Sequence, residues 1–231
     1  MPVMSQPATV RLVGLLFLIQ LITAAVSYSV LLEPILYGGN FLEDMQAKAT
    51  TVRVALFLDL ICGAAIVAIA VLLFPILKMF SERIAMWYVG LRCVEFATII
   101  VSGILLLTLL SISHDTSTTG ISDATKLEGI GRVVLQARGW TQNMTIIVYG
   151  LGAIMFYFLL YRSRLLPRFI SIWGLGAVVL LLTEIILDTF GHGYGMPLMM
   201  PMGLNELFLG GWLLVKGFRS TDLKPKPELN I

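Results

Sequence analysis

Charge is what this sequence has least of. Of its 231 residues only 13% are Asp, Glu, Lys or Arg, against 58% hydrophobic, and the mean hydropathy is +0.90. A water-soluble domain carries about twice that share of charge, so a hydrated globular surface is excluded. A net charge of +2 is too small to point to nucleic acid. Histidine and cysteine are also scarce, at two each. With only His114 and His192, a zinc hydrolase lacks its three or four ligands. Cys62 and Cys93 both fall in apolar runs, where a thiol packs as a small hydrophobe. There is no Gly-rich phosphate loop followed by Lys, no nucleophile elbow and no metalloprotease His pair.

What the sequence has in abundance is long apolar runs. Crossing the hydrocarbon core takes roughly 20 apolar residues as a helix. The runs are continuous rather than alternating, which favours helices over a barrel. Six spans are predicted, near residues 12–32, 52–74, 85–110, 138–161, 169–190 and 199–217. The fold class is therefore all-α, a bundle of six transmembrane helices. It forms a single membrane domain over residues 1–221 with a disordered tail, 222–231, that carries Pro225 and Pro227. Arg11 before the first run and Ala25-Val26-Ser27 within it resemble a secretory signal. The run is long for one and is read as an uncleaved first helix.

Arg11, Lys78, Arg83, Arg162, Arg164, Arg168, Lys216, Arg219, Lys224 and Lys226 lie on one side of the six spans. The connections on the other side hold Lys48, Arg53, Lys126, Arg132 and Arg138 with several acids. The positive-inside rule places both termini in the cytoplasm. Trp87, Trp140 and Trp173 near span ends fit an interfacial belt. In the third connection, SISHDTSTTGIS reads as mobile, and from Asp123 a short amphipathic surface helix is expected. Gly-Leu-Gly-Ala at 150–153 and 174–177 marks close helix packing through small residues.

Within these runs a few polar residues stand out. LLTEIILDTFGHGYG places Glu184, Asp188 and His192 four residues apart, each about 40° further round a helix of 3.6 residues per turn. They share a face if the helix persists to His192. Asp59, Glu95 and Glu206 are further intramembrane acids, and Arg53, Arg92 and Arg138 the cations. An ionised acid at a span centre costs roughly 2.5–3.5 kcal/mol, so such groups turn inward, pair, sit near an interface or take up a proton.

By depth, Asp59, Asn143, Glu184, Asp188, His192, Asn205 and Glu206 are expected in the outer half as candidates for a polar pocket. Arg92 and Glu95 at i,i+3 form a separate structural pair nearer the middle, and Arg53 and Arg138 are expected to pair with the outer acids. A buried ionic network that only fixes helix register is the competing reading. GHGYGMPLMMPM adds His192, Met196, Met199 and Met200, a set soft enough for Cu(I), although methionines equally fill apolar gaps. No cofactor is otherwise expected.

Tyr161-Arg162-Ser163-Arg164-Leu165-Leu166-Pro167-Arg168, followed by Ile172-Trp173-Gly174, Asn205-Glu206 and Trp212-Leu213-Leu214-Val215-Lys216-Gly217, resembles the bacterial membrane-protein family named domain of unknown function 4386. Arg11 with Gly14 and Arg92 with Glu95 resemble it too. The resemblance covers nearly the whole chain and implies a six-span protein of the bacterial inner membrane with no assigned activity. The Met-rich loop and His192 are not features of that family.

The expected partners are membrane lipids and a small-molecule or cation ligand, with no nucleic acid. The leading expectation for function is binding or passage of a small polar solute or cation at an outward-facing pocket. The alternatives are an intramembrane enzyme acting on a lipid or envelope precursor, with Glu184 or Asp188 as general base, and a non-catalytic accessory or sensor subunit.

Overall fold

A computed structural model describes residues 6–118 and 121–218; the expected tail, 222–231, lies outside them. Among the described residues the secondary structure is helical. α1 (Gln6–Ala25) runs through a π-helical segment, Val26–Leu32, into α2 (Glu33–Leu36). After a turn, α3 (Phe41–Ala47) leads into α4 (Ala49–Leu77), followed by α5 (Glu82–Thr118), α6 (Ile121–Ser163), α7 (Arg168–Thr189) and α8 (Met196–Val215). Six helical segments are long and apolar enough to cross a membrane: Pro7–Leu36, Ala49–Leu77, Glu82–Asp115, Lys126–Ser163, Arg168–Thr189 and Met196–Val215. Their outward faces carry Ile22, Phe57, Ile61, Ile104, Val179 and Ile186, all exposed, while Arg92, Glu95, Arg138, Glu184 and Glu206 are buried. Apolar outside and charged inside suits a surface facing lipid.

The third connection differs from expectation. No separate surface helix forms. α6 runs unbroken for 43 residues, about 65 Å at 1.5 Å per residue and twice the hydrocarbon thickness. Residues 111–118 of the Ser/Thr-rich stretch continue α5, while 119–120 lie outside the described residues; Ser111 Oγ donates to the Leu107 carbonyl at 3.1 Å and Ser113 Oγ to Leu110 at 2.7 Å, as Thr108 Oγ1 just before them does to Ile104 at 2.9 Å. Such back-bonding leaves the ladder intact. The amphipathic stretch of α6 is tied by an exposed Arg132–Glu128 ion pair of 2.7 Å.

The chain forms two compact units. One comprises residues up to 21, 65–95 and 146 onward; the other comprises 22–64 and 96–145. The first has a core of Val13, Phe17, Leu73, Tyr88, Phe156, Tyr157, Leu160 and Leu209, with the rings of Phe17, Tyr88 and Tyr157 around Phe156 at centroid distances of 5.3–6.0 Å. Close approach there depends on two glycines. A Cβ at Gly14 of α1 would meet Gly210 O and Leu214 N of α8 at 2.8 Å, backbone against backbone, and a Cβ at Gly174 would run into the Tyr157 ring. Gly150, the start of the other Gly-Leu-Gly-Ala, faces Leu182, so both copies open on a packing contact. The second unit has its own core of Leu32, Leu36, Phe41, Met45, Val52, Leu106 and Leu109.

Candidate functional site

A buried polar cluster in the first unit is centred on Glu206. It is the eleventh residue of the twenty in α8, so it lies about 15 Å from either end of that helix. The carboxylate accepts from Tyr149 Oη of α6 at 2.8 Å and from Gln20 Nε2 of α1 at 3.4 Å. On α5, one turn apart, Arg92 Nη1 donates to Glu95 Oε2 at 2.8 Å, an ion pair that is about 97% buried on both sides.

The Arg92 guanidinium lies over the Tyr88 ring at 5.2 Å and the Tyr149 ring at 5.0 Å. The first contact follows from i,i+4 spacing on α5. Glu206 lies within the electrostatic reach of Arg92. Expected as separate features, the Arg92–Glu95 pair and Glu206 thus form one constellation.

Among the described residues this constellation sets the guanidinium of Arg92 against the carboxylates of Glu95 and Glu206. Around it Tyr88 Oη, Tyr157 Oη and Arg92 Nε are buried with no hydrogen-bond partner. A buried group left unsatisfied costs about 1–3 kcal/mol, so these three atoms make the cluster a candidate for contact with a further polar group. Chemically it offers an excess carboxylate and hydroxyl groups that donate or accept, a set suited to a cation, a proton or a hydrogen-bonding solute.

The other sequence candidates do not all join it. Glu184, buried on α7, accepts from the backbone N–H groups of Tyr194 at 3.0 Å and Gly195 at 2.5 Å. It therefore holds the α7–α8 connection. Asp188, exposed at the end of α7, converges on the same loop: a Cβ at Gly193 would lie 3.0 Å from both Asp188 Oδ1 and Glu184 Oε1. The helix does not persist to His192. It ends at Thr189, and Gly191 takes φ +78°, which favours glycine. The His192 ring is exposed, with Nδ1 2.9 Å from the Phe190 carbonyl.

Asn205 is buried, and its Nδ2 donates to the Ile170 carbonyl of α7 at 3.2 Å. It turns away from its neighbour Glu206 to lock α8 onto α7. Of the soft-metal set, Met199 packs against the core while Met196 and Met200 are exposed. Among the described residues no three of His, Cys, Asp and Glu come together as metal ligands.

Asp59, Asn143, Arg53 and Arg138 belong to the second unit. The Asp59 carboxylate lies beside Ser27, in the field of Arg138, and Ser27 Oγ donates to the Ala55 carbonyl at 3.0 Å. Arg138 is buried, and among the described residues it forms no ion pair. Arg53 is exposed. Six residues before Asp59, it projects about 120° away from it round α4, and among the described residues it forms no ion pair. Asn143 is partly buried on α6.

Sequence reasoning passed over Gln20, Tyr88, Tyr149 and Tyr157. Gln20 left a readable trace as a lone amide deep in the first apolar run. The tyrosines left none that separates them from interfacial aromatics.

Six apolar spans around buried charge define a multi-pass α-helical membrane protein. The chain belongs to the family described as domain of unknown function (DUF4386), which matches residues 12–217. No curated protein and no solved structure matches it.

Proposed function

We propose that this protein binds, or passes across the membrane, a small cation or a polar solute with a cationic or hydrogen-donating group, and that Glu206 is the residue it meets. The observation that carries this reading is the charge imbalance of a buried cluster, with Glu95 and Glu206 sharing the single guanidinium of Arg92. Carboxylates in the middle of membrane spans are costly and are kept where a cation or proton offsets them. Tyr149 and Gln20 aim the Glu206 carboxylate, and Tyr88 and Tyr157 supply unpaired hydroxyls beside it.

The same reading sets the protein in the cytoplasmic membrane of a bacterium with both termini inside. The crowding of Arg and Lys into the N-terminus, the second and fourth connections and the C-terminal tail supports that orientation.

The test is flux in proteoliposomes holding a pH-sensitive dye, with an imposed potassium diffusion potential and, in parallel, with a sodium gradient. The wild type should pass protons or sodium faster than protein-free vesicles, and Glu206→Gln should slow that flux at least about tenfold, more than 1.4 kcal/mol on the barrier. A Glu206→Gln protein that is folded and fully active, or a wild type indistinguishable from empty vesicles, refutes the proposal.

A further inference from the structure

The second unit contains a buried cation that, among the described residues, no carboxylate contacts directly. Arg138 is the largest of the fully buried side chains, at 2% exposure. Its Nε has no hydrogen-bond partner, and among the described residues the guanidinium forms no ion pair. A buried guanidinium whose donors no acceptor meets is costly even with an opposite charge in its field. The groups that share its field are Asp59, Tyr37 and Tyr28. The Asp59 carboxylate is turned to Ser27, and Tyr28 and Tyr37 lie beside each other, both exposed at 37% and 59%.

Tyr28 falls within the π-helical segment Val26–Leu32. Such segments are rare and recur at functional sites, and the wider turn alters which side chains a helix presents. Side chains in Arg138's surroundings thus run from exposed phenols to a fully buried guanidinium.

We infer that Arg138 binds an oxyanion, a phosphate or carboxylate group, that enters past Tyr28 and Tyr37 and docks on the guanidinium. Arg is the side chain whose planar fork matches such groups with two parallel hydrogen bonds. Asp59 stands close enough to oppose the bound anion and limit its affinity. The anion comes either free from solution or as the headgroup of an anionic phospholipid. This site is separate from the Glu206 cluster, and neither reading depends on the other.

The experiment is isothermal titration of the full chain in detergent with two probes, inorganic phosphate and a short-chain phosphatidylglycerol, using short-chain phosphatidylcholine as the neutral control. Saturable binding of phosphate identifies a free oxyanion; binding of phosphatidylglycerol alone identifies the headgroup. Arg138→Lys keeps the charge and should stay folded, yet it should weaken binding at least about tenfold because the fork is lost. Asp59→Asn should tighten binding about threefold or more, the opposite of what a purely structural partner of Arg138 would do. Glu206→Gln should leave this binding unchanged. Binding of neither anion, equal binding by Arg138→Lys, or weaker binding by Asp59→Asn overturns the inference.

Discussion

Removing the positive member of the Arg92–Glu95 pair should cost far more than removing the negative one. The reason is arithmetic of charge. Arg92 is bonded to Glu95 at 2.8 Å and also acts on Glu206. Arg92→Met therefore leaves two buried carboxylates facing each other without a cation, and it removes the contacts over Tyr88 and Tyr149. Breaking a buried pair costs about 3–5 kcal/mol, and the loss of two desolvated cation–π contacts places this variant at the upper end. Glu95→Gln is milder. Its amide oxygen still accepts from Arg92, and Glu206 remains to balance the guanidinium, so the loss should be near that of weakening one charged hydrogen bond, about 1–2 kcal/mol.

The Glu206→Gln background sharpens the comparison. There Arg92→Met strands one carboxylate rather than two, and its cost should fall by about 1–3 kcal/mol, the coupling typical of residues in one network. Reversible unfolding in mixed micelles of increasing SDS fraction, followed by tryptophan fluorescence, reads the three single variants and the double variant against the wild type. Equal costs for Arg92→Met and Glu95→Gln, or no coupling to Glu206, would mean that Arg92 serves Glu95 alone, and the three-residue constellation would be wrong.

Two further outcomes concern packing and the α7–α8 connection. Gly14→Ala and Gly174→Ala should each destabilise by about 1–3 kcal/mol in the same unfolding assay, since a methyl group there meets backbone or a ring. Gly176→Ala, which meets nothing within 4 Å, should change stability by less than about 0.5 kcal/mol. Glu184→Gln should weaken the bonds to Tyr194 and Gly195. It should cost about 1–2 kcal/mol and speed amide hydrogen exchange at those two residues, while leaving Tyr149 and Gln20 on Glu206 undisturbed.

Much of the architecture was legible because lipid imposes one strong rule. A run long enough to cross the hydrocarbon must be helical, and Met196–Val215 or Ala49–Leu77 reads so at once. The C-terminal end of α5 and the N-terminal end of α6 were harder. Ser111 and Ser113 signal a loop to water-based reasoning, yet within a helix their hydroxyls close onto the preceding turn.

The site was legible only in part. Arg92 and Glu95 are neighbours in sequence, so their pairing could be read from spacing. The meeting of Gln20, Tyr149 and Glu206 depends on how three distant helices are rotated, which periodicity cannot supply when every face is apolar. Glu184 misled for a related reason: its role depends on where α7 stops, and that is decided by Gly191 rather than by the stripe of acids.

The contact of Gln20 with Glu206 spans 186 positions of chain, and it lies on the same two helices whose backbones touch at Gly14 and Gly210. Of the six described spans, the first is therefore matched to the sixth. At about 5–20 residues per second, Gln20 and the bare groove at Gly14 wait roughly 10–40 s in the lipid or beside the insertion machinery before their partners are made. Biogenesis of this protein has a built-in vulnerable interval, one in which a truncated chain exposes a polar side chain and a seam of unfilled backbone to quality-control proteases.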